Sequence, residues 1–205
     1  MFNQLKTGIA TAMVVSCMSC AVWVNSPDPD LSEDTTDKKV YRTIFTGGYF
    51  PFENNQNWWS FTEDGGNKLS VRVTDTISDD NTIYYRISFQ EHRVDTTDDW
   101  FKRSGGEVLF GSSLTGTYRR FLPGRLEIVN GRIDSPDSNI TYTYYDSLLV
   151  NMAIYHNILR MTFNVPFIHG FEEIWVADKV GIIIMKDTNG RWPVVYSLDS
   201  CRVFR

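Results

Sequence analysis

The chain has 205 residues, of which 42% are hydrophobic and 14% aromatic, and its 25 acidic and 20 basic side chains give a net charge of −5. This composition is typical of a globular domain. Because no cluster of Lys and Arg is available to displace phosphate counterions, the sequence excludes a nucleic-acid-binding protein. Three cysteines are too few for a disulfide scaffold, and no pair of CxxC motifs indicates a zinc site.

Residues 1–16 have the organisation of an export signal. Lys6 supplies a positive charge, and a small, apolar run follows from Gly8 to Val15. The run ends in Val14-Val15-Ser16-Cys17, which resembles the lipobox of bacterial lipoproteins, where an apolar and a small residue precede the cysteine that is acylated. We therefore predict a lipoprotein-type signal peptide over 1–16 and lipidation of Cys17, with Cys20 as the alternative; a plain signal peptide is the weaker interpretation.

Residues 17–39 are predicted to be the lipidated cysteine followed by a disordered acidic linker. The segment is rich in Pro, Ser, Thr and Asp, so it cannot bury enough apolar surface to offset the entropy lost on ordering. Several acyl chains on one cysteine anchor a protein stably, because each buried methylene contributes about 0.8 kcal/mol. Residue 18 is Met rather than the Asp associated with inner-membrane retention. We therefore predict an outer-membrane lipoprotein, with the periplasmic side and the cell surface both open.

Residues 40–205 are predicted to form a single all-β domain, because apolar and polar side chains alternate as they do along half-buried strands. The clearest strand runs from Ile83 to Phe89, where every second residue is apolar. The same period recurs at Val71–Ile77, Leu126–Ile128, Ile140–Tyr144, Leu159–Val165 and Trp192–Leu198. A short helix is expected at Ser147–Ala153. The run Val180–Met185 is apolar on both faces, which predicts a central strand.

Turn residues separate these strands at the intervals of antiparallel hairpins. Such turns are predicted at Asp64–Asn67, Ser78–Asn81, Asn130-Gly131 and Asp187–Gly190. A further buried hairpin is expected around the turn at Asp178-Lys179. Within it, Gly181 is predicted to lie where a neighbouring backbone or the Trp175 ring approaches closely, because a glycine inside a strand commonly marks such an approach.

Three motifs in the predicted domain resemble those of a family of small, uncharacterised bacterial lipoproteins. They are Tyr49-Phe50-Pro51-Phe52 followed by a Trp, Val73-Thr74-Asp75-Thr76 followed by Tyr84-Tyr85, and Glu173-x-Trp175-x-Ala177-x-x-Val180-Gly181-Ile182. The family's usual Gly before the first Trp is replaced by Asn57. The resemblance implies an antiparallel, strongly curved sheet or half-barrel with at most one or two short helices. It implies no catalytic residues.

Motifs for catalysis, phosphate binding and metal binding are missing from the sequence. His92, His156 and His169 stand apart. Glu91 precedes His92 but points to the opposite face of the predicted strand, and neither His156 nor His169 has a visible carboxylate or cysteine partner. The acidic pairs Asp79-Asp80 and Asp98-Asp99 lack the spacing of a calcium loop and are interpreted as solvated turns. We therefore predict no catalytic residues, no metal, no cofactor and no enzymatic activity.

The aromatic residues are the one feature that points to a ligand. Trp58 and Trp59 are adjacent, so in a strand they face opposite sides, and one of them can lie off the core with Tyr84 nearby. These three residues are the candidate ligand contacts, although core packing is at least as plausible an explanation for the tryptophans.

Three functions remain open. The first is a membrane-tethered, non-catalytic domain that binds an apolar ligand or an envelope protein. The second is a surface glycan-binding module that uses Trp and Tyr. The third is a hydrolase with a dispersed site, which requires two of the three histidines close to an Asp or Glu.

Overall fold

The computed structural model of the chain describes residues 41–91, 97–129, 132–165, 170–188 and 193–204. The predicted signal peptide and linker, His92, His169, Trp192 and the turns at Asn130-Gly131 and Asn189-Gly190 lie outside the described residues. The strands are β1 Tyr41–Phe45, β2 Trp58–Glu63, β3 Lys68–Asp79, β4 Thr82–Glu91, β5 Thr97–Ser104, β6 Glu107–Gly111, β7 Arg119–Leu122, β8 Arg125–Val129, β9 Arg132–Ile133, β10 Ile140–Val150, β11 Ala153–Phe163, β12 Glu173–Ala177, β13 Gly181–Asp187 and β14 Val194–Arg202.

The strands form two antiparallel sheets. The large sheet has 11 strands in the order β10-β11-β12-β13-β14-β2-β3-β4-β5-β6-β7, and the small sheet has the order β1-β8-β9. The C-terminal strand β14 therefore lies beside β2, so that Trp58 is paired with Arg202. The prediction of an all-β, antiparallel fold is confirmed.

Strong curvature brings the two edges of the large sheet towards each other. The Tyr142 hydroxyl of β10 donates a hydrogen bond to the Phe121 carbonyl of β7 at 3.2 Å. The rings of Phe121 and Phe163 are stacked with 6.1 Å between their centroids. The edge strands β7 and β10 are not paired with each other, so the sheet is curved but not closed. This confirms the predicted strongly curved sheet.

The concave face of the sheet holds the core. Alternate residues point inward, as predicted for β4, where Tyr85, Ile87 and Phe89 are buried. A segment between β1 and β2 enters this concavity: it contains a single turn of 3₁₀ helix at Thr46–Tyr49 and then Phe50 and Phe52. Phenylalanine rings therefore fill the interior, among them Phe50, Phe52, Phe61, Phe101 and Phe121.

The helix expected at Ser147–Ala153 is wrong. This segment is the end of β10, a two-residue turn at Asn151-Met152 and the start of β11. Both turn residues have positive φ, 46° and 65°, as a type I′ hairpin turn requires. The β-branched and apolar residues around the turn extend the hairpin instead of forming a helix. In the described part of the chain, the turn at Thr46–Tyr49 is the one helical segment, and no helix is long and apolar enough to cross a membrane.

The strand at Gly181–Asp187 is central, as predicted, since it lies between β12 and β14 with Ile182 and Ile183 both buried. Gly181 has a φ of 91°, and a Cβ placed on it would lie 3.2 Å from Pro51 and 3.3 Å from Trp59. The predicted close approach is therefore present. The ring that approaches is Trp59 rather than Trp175, because Trp175 projects from the opposite face of the sheet.

Candidate functional site

The adjacent tryptophans lie on opposite faces of β2, as the strand period predicts. Trp59 is fully buried on the concave side, and its indole Nε1 donates a hydrogen bond to the Val180 carbonyl at 2.7 Å. Its ring packs edge-on against Phe52, with 4.8 Å between the centroids. Trp59 is therefore a core residue and not a ligand contact. Trp58 projects from the outer face and is partly exposed.

The outer face beside Trp58 carries polar groups that can form hydrogen bonds. The strand register places Trp58 opposite Arg72, Arg72 opposite Ser88, and Ser88 opposite Asp98 across four neighbouring strands. Arg86 Nη2 lies 2.5 Å from the Asp98 carboxylate and its Nε lies 3.1 Å away. The guanidinium of Arg86 is thus fixed on the surface, while Trp58 remains accessible beside Arg72.

Trp100 and Tyr84 occupy the same outer face. Trp100 of β5 pairs with Arg86, and Tyr84 of β4 pairs with Lys102. The Lys102 ammonium lies 5.5 Å from the Tyr84 ring centroid and 5.7 Å from that of Tyr118. We call the partly exposed residues Trp58, Tyr84 and Trp100 the outer aromatic face.

Trp100 was missed by the sequence argument because Asp98-Asp99 was interpreted as a solvated turn. The segment is in fact part of β5, with Phe101 on the buried face and Trp100 on the opposite one. A strand signal was present in the β-favouring residues Thr97, Trp100 and Phe101, but the two acids among them concealed it.

A second aromatic cluster on the outer face, around Trp175, is covered by neighbouring side chains. Trp175 of β12 is buried beneath Tyr145, whose ring stacks on it with centroids 5.1 Å apart. The Trp175 Nε1 donates to the Glu173 carboxylate at 2.6 Å, and the Arg160 Nε donates to the same carboxylate at 2.9 Å. Lys186 Nζ lies 2.7 Å from Glu173. Each of these groups has partners, so the cluster stabilises the sheet and offers no open ring to a ligand.

The electrostatics of this cluster are set by Glu173. Burial alone would raise the pKa of its carboxyl group, but hydrogen bonds from Lys186, Trp175 and Arg160 outweigh that effect and lower the pKa below its usual value. Glu173 is therefore a carboxylate at neutral pH, and it neutralises two cations that both lie over the Trp175 ring.

A separate open cleft of about 590 Å³ lies between the small sheet and the β5–β6 turn. Phe45 lines it with a side chain that is 76% exposed, and Arg120 and Arg125 contribute positive charge. Arg120 Nη2 lies 3.1 Å from Glu107, whereas its buried Nε has no hydrogen-bond partner. The cleft combines an accessible aromatic ring with the positive charge of Arg120 and Arg125.

Among the described residues His156 is the one histidine, and no set of catalytic side chains surrounds it. His156 lies on β11 and is exposed, opposite Ser147 of β10. Among the described residues, no three His, Cys, Asp or Glu side chains lie close enough to hold a metal ion. His92 and His169 are outside these residues, so the dispersed hydrolase site stays an untested hypothesis.

Neither a protein family nor a curated protein matches the sequence, so the resemblance to small lipoproteins stays a prediction. Two solved structures are similar at 10% sequence identity, and each comparison covers 75% of this chain and 98% of the other. They are a candidate lipoprotein from Parabacteroides distasonis, with a TM-score of 0.46, and a candidate exported protein with a YmcC-like fold from Bacteroides fragilis, with a TM-score of 0.44.

Proposed function

We propose that the protein is an outer-membrane lipoprotein, anchored through Cys17, whose β domain binds a glycan on the outer aromatic face without catalysing a reaction. The proposal of a lipid anchor rests on the Val14-Val15-Ser16-Cys17 sequence and on the acidic linker behind it. The proposal of a glycan rests on one observation: Trp58, Tyr84 and Trp100 are partly exposed on one sheet face, interleaved with charged side chains.

A sugar-binding surface needs aromatic rings and polar groups, and the outer aromatic face has both. The apolar face of a sugar ring packs on an aromatic side chain, while its hydroxyl groups form hydrogen bonds with charged and amide groups at the ring edge. Arg72 lies beside Trp58, and the Arg86–Asp98 pair lies between Trp58 and Trp100. A ligand could therefore stack on both tryptophans and bond to the polar groups between them.

The spacing of the aromatic residues favours an extended ligand. Three inter-strand steps of about 4.8 Å each separate Trp58 from Asp98, and Trp100 lies two residues further along β5. One sugar ring cannot contact both tryptophans over that span. The proposed ligand is therefore an oligosaccharide or a glycan chain.

An apolar ligand is less well supported than a glycan. The concave side of a curved sheet is where such a molecule would be enclosed. Here Phe50, Phe52 and Trp59 occupy that space and contact one another. The side chains of the chain itself thus take the place that an apolar ligand would need.

An envelope protein is the second candidate partner, because the cleft beside Phe45 fits an extended peptide. Its two arginines would favour an acidic segment or a carboxylate. The exposed Phe45 ring would supply an apolar contact.

Calorimetric titration tests the glycan proposal. Chito-, malto-, xylo- and manno-oligosaccharides are added to the full chain and to Trp58→Ala, Trp100→Ala and Phe45→Ala variants. We expect one class to bind, with an affinity loss of about tenfold or more in each tryptophan variant, since burying a large apolar side chain contributes about 1.5–3 kcal/mol. Phe45→Ala should bind as the parent does. Binding that is lost in Phe45→Ala and retained in both tryptophan variants would move the site to the cleft.

A further inference from the structure

Strands β10 and β11 form a hairpin whose tip is uncharged and mostly apolar. Residues 147–155 read Ser-Leu-Leu-Val-Asn-Met-Ala-Ile-Tyr and contain no charged side chain. The other hairpins of the large sheet turn through acidic, basic or glycine residues, as at Asp64–Gly66, Asp80-Asn81, Gly105-Gly106 and Asp178-Lys179. The tip of the β10–β11 hairpin is therefore distinct in composition from its neighbours.

One face of this tip is buried and the other is open. Leu148 and Val150 pack into the domain, and the Asn151 amide donates to the Leu198 carbonyl of β14 at 2.9 Å. On the opposite face, Leu149 and Ile154 are direct cross-strand partners that are 44% and 65% exposed. We call Leu149, Met152 and Ile154 the apolar tip.

Met152 is the residue of the apolar tip that does not serve the stability of the fold. It occupies the second position of a type I′ turn with a φ of 65°, where glycine is the favoured residue because a side chain is strained there. Its side chain is 96% exposed and buries nothing within the domain. A strained, exposed and apolar residue at the most prominent position of a hairpin is therefore explained by contact with something outside the domain.

Strand β1 begins on the side of the domain where the apolar tip lies. Arg42, near the start of β1, donates to the Tyr144 hydroxyl at 2.7 Å and lies 3.3 Å from Asp146 on the β10–β11 hairpin. Phe45, at the end of β1, lines a cleft with Pro136, which precedes β10. Strand β1 therefore runs away from the tip, so its N-terminal end is the end nearer the tip.

We propose that the apolar tip inserts into the surface of the lipid bilayer to which the chain is tethered, giving the domain a second, weak contact with the membrane. The orientation rests on the proposed lipid anchor at Cys17, whereas the affinity of the tip for lipid does not. The tip's own affinity for lipid is weak but measurable on the unacylated chain at high lipid concentration, and a tether makes it sufficient in the cell by raising the local concentration of the tip at the bilayer.

The chemistry of the tip favours lipid acyl chains over charged head groups or a second copy of the chain. The nearest charges on its two supporting strands are Asp146 of β10 and Arg160 of β11, and each is paired within the domain, Asp146 with Arg42 and Arg160 with Glu173. Neither is therefore free to attract anionic head groups. Three side chains also offer far less area than the roughly 800 Å² per partner of a stable protein interface. Binding should therefore depend on the apolar groups and respond little to salt or to anionic lipid.

The proposal is tested on the full chain with Cys17→Ser, Cys20→Ser and Cys201→Ser, which removes both acylation candidates and the exposed thiol of β14. An environment-sensitive fluorophore is attached at Met152→Cys, or at Asp80→Cys in the β3–β4 turn as the control. Vesicles of phosphatidylethanolamine with and without phosphatidylglycerol are then added. We expect blue-shifted, stronger emission from position 152 in both lipid mixtures and none from position 80. No response at 152, or an equal response at both positions, would refute the insertion.

Vesicle flotation of the unacylated chain provides the second measurement. The Met152→Asp/Ile154→Asp variant should lose about tenfold or more of its partition into vesicles, since each buried aliphatic side chain contributes about 1.5–3 kcal/mol. Ile77→Asp, a comparable change on an exposed residue of β3, should float as the parent does. If the tip variant instead abolishes a dimer in sedimentation and the parent does not bind vesicles, the tip is an interface between copies and the membrane proposal is wrong.

Discussion

Trp59 and Val180 are joined by a hydrogen bond from the indole Nε1 to the main-chain carbonyl, 2.7 Å long, although 121 residues separate them along the chain. The bond holds the Trp59 ring against Gly181, and Pro51 packs on the same glycine. The neighbouring Lys179 amide donates to the Gly48 carbonyl at 2.7 Å. This contact therefore fixes the 3₁₀ turn and the aromatic segment behind it within the curved sheet.

Replacing Gly181 with alanine should destabilise the domain by about 2–4 kcal/mol. The new Cβ would lie 3.2 Å from Pro51 and 3.3 Å from the Trp59 ring, and the φ of 91° is itself unfavourable for a side chain. Urea unfolding followed by circular dichroism measures the change, which should appear as a lower midpoint with an unchanged slope.

Gly66 is the matched control for this substitution. It has a φ of 86°, and a Cβ there would meet nothing within 4 Å. Gly66→Ala should therefore cost only the backbone strain of about 1 kcal/mol. Equal losses in the two variants would mean that the close packing around Gly181 contributes nothing.

The two adjacent tryptophans should respond differently to substitution. Trp59→Phe should cost about 2–4 kcal/mol of unfolding free energy, because it leaves the Val180 carbonyl unpaired and opens a cavity beside Phe52. Trp58→Phe should stay within about 0.5 kcal/mol of the parent, since Trp58 is partly exposed on the outer face. The reverse order of midpoints in urea would show that the strand faces are assigned incorrectly.

The Glu173 carboxylate should make the protein sensitive to acid. Its pKa in the folded chain is held below the ordinary 4.5, so its contribution to stability is complete above pH 4.5 and is lost as the pH falls through the folded-state pKa. We expect the unfolding free energy of the parent to decrease in that range, with the decrease smaller in Glu173→Gln. Denaturation curves at pH values from about 2.5 to 7, a range that includes the titration of a carboxyl group, measure the difference.

Glu127→Gln provides the comparison for that experiment. Glu127 lies on β8 with an exposed side chain, and Arg125 is 3.9 Å away. Such an exposed pair contributes little. The pH dependence of Glu127→Gln should match that of the parent, and a Glu173→Gln variant with the full acid sensitivity of the parent would contradict the role assigned to Glu173.

Cys17→Ser should release the protein from membrane fractions, whereas Cys20→Ser should leave it bound. Both expectations follow from Val14-Val15-Ser16 preceding Cys17, compared with Cys17-Met18-Ser19 preceding Cys20. Fractionation of cells that express each variant measures the distribution, and the double variant controls for non-covalent retention. If the chain stays in the membrane fraction until Cys20 is also changed, Cys20 is a site of acylation.

The fold class was predictable because it depends on local alternation. Ile83–Phe89 shows the period of two in the sequence, and β4 buries the expected face. The hairpin turns described at Gly66 and Asp80 likewise carry their own signals, since their residues tolerate positive φ. What a strand buries and where it turns is encoded within about ten residues.

The composition of the site was less predictable because it depends on which strands are neighbours. Trp58 and Trp100 share a face through pairings across three strand interfaces, and nothing local to either residue shows this. The same holds for Gly181, whose close approach was predicted but whose partner, Trp59, comes from a distant part of the chain. The apolar turn at Met152 was mistaken for a helix because Leu, Met and Ala are good helix formers and no glycine marks the turn.

The pairing of β14 with β2 has a consequence for the order of events in biosynthesis. Strand β2 begins at Trp58, and its partner ends at Arg202, 144 residues further along the chain. The middle of the large sheet therefore cannot be completed until the chain has been synthesised as far as β14, and contacts between such distant residues form late in folding. A chain with this topology remains incompletely folded during translation. A translocation channel that accepts only unfolded polypeptide can therefore receive it before β14 pairs with β2.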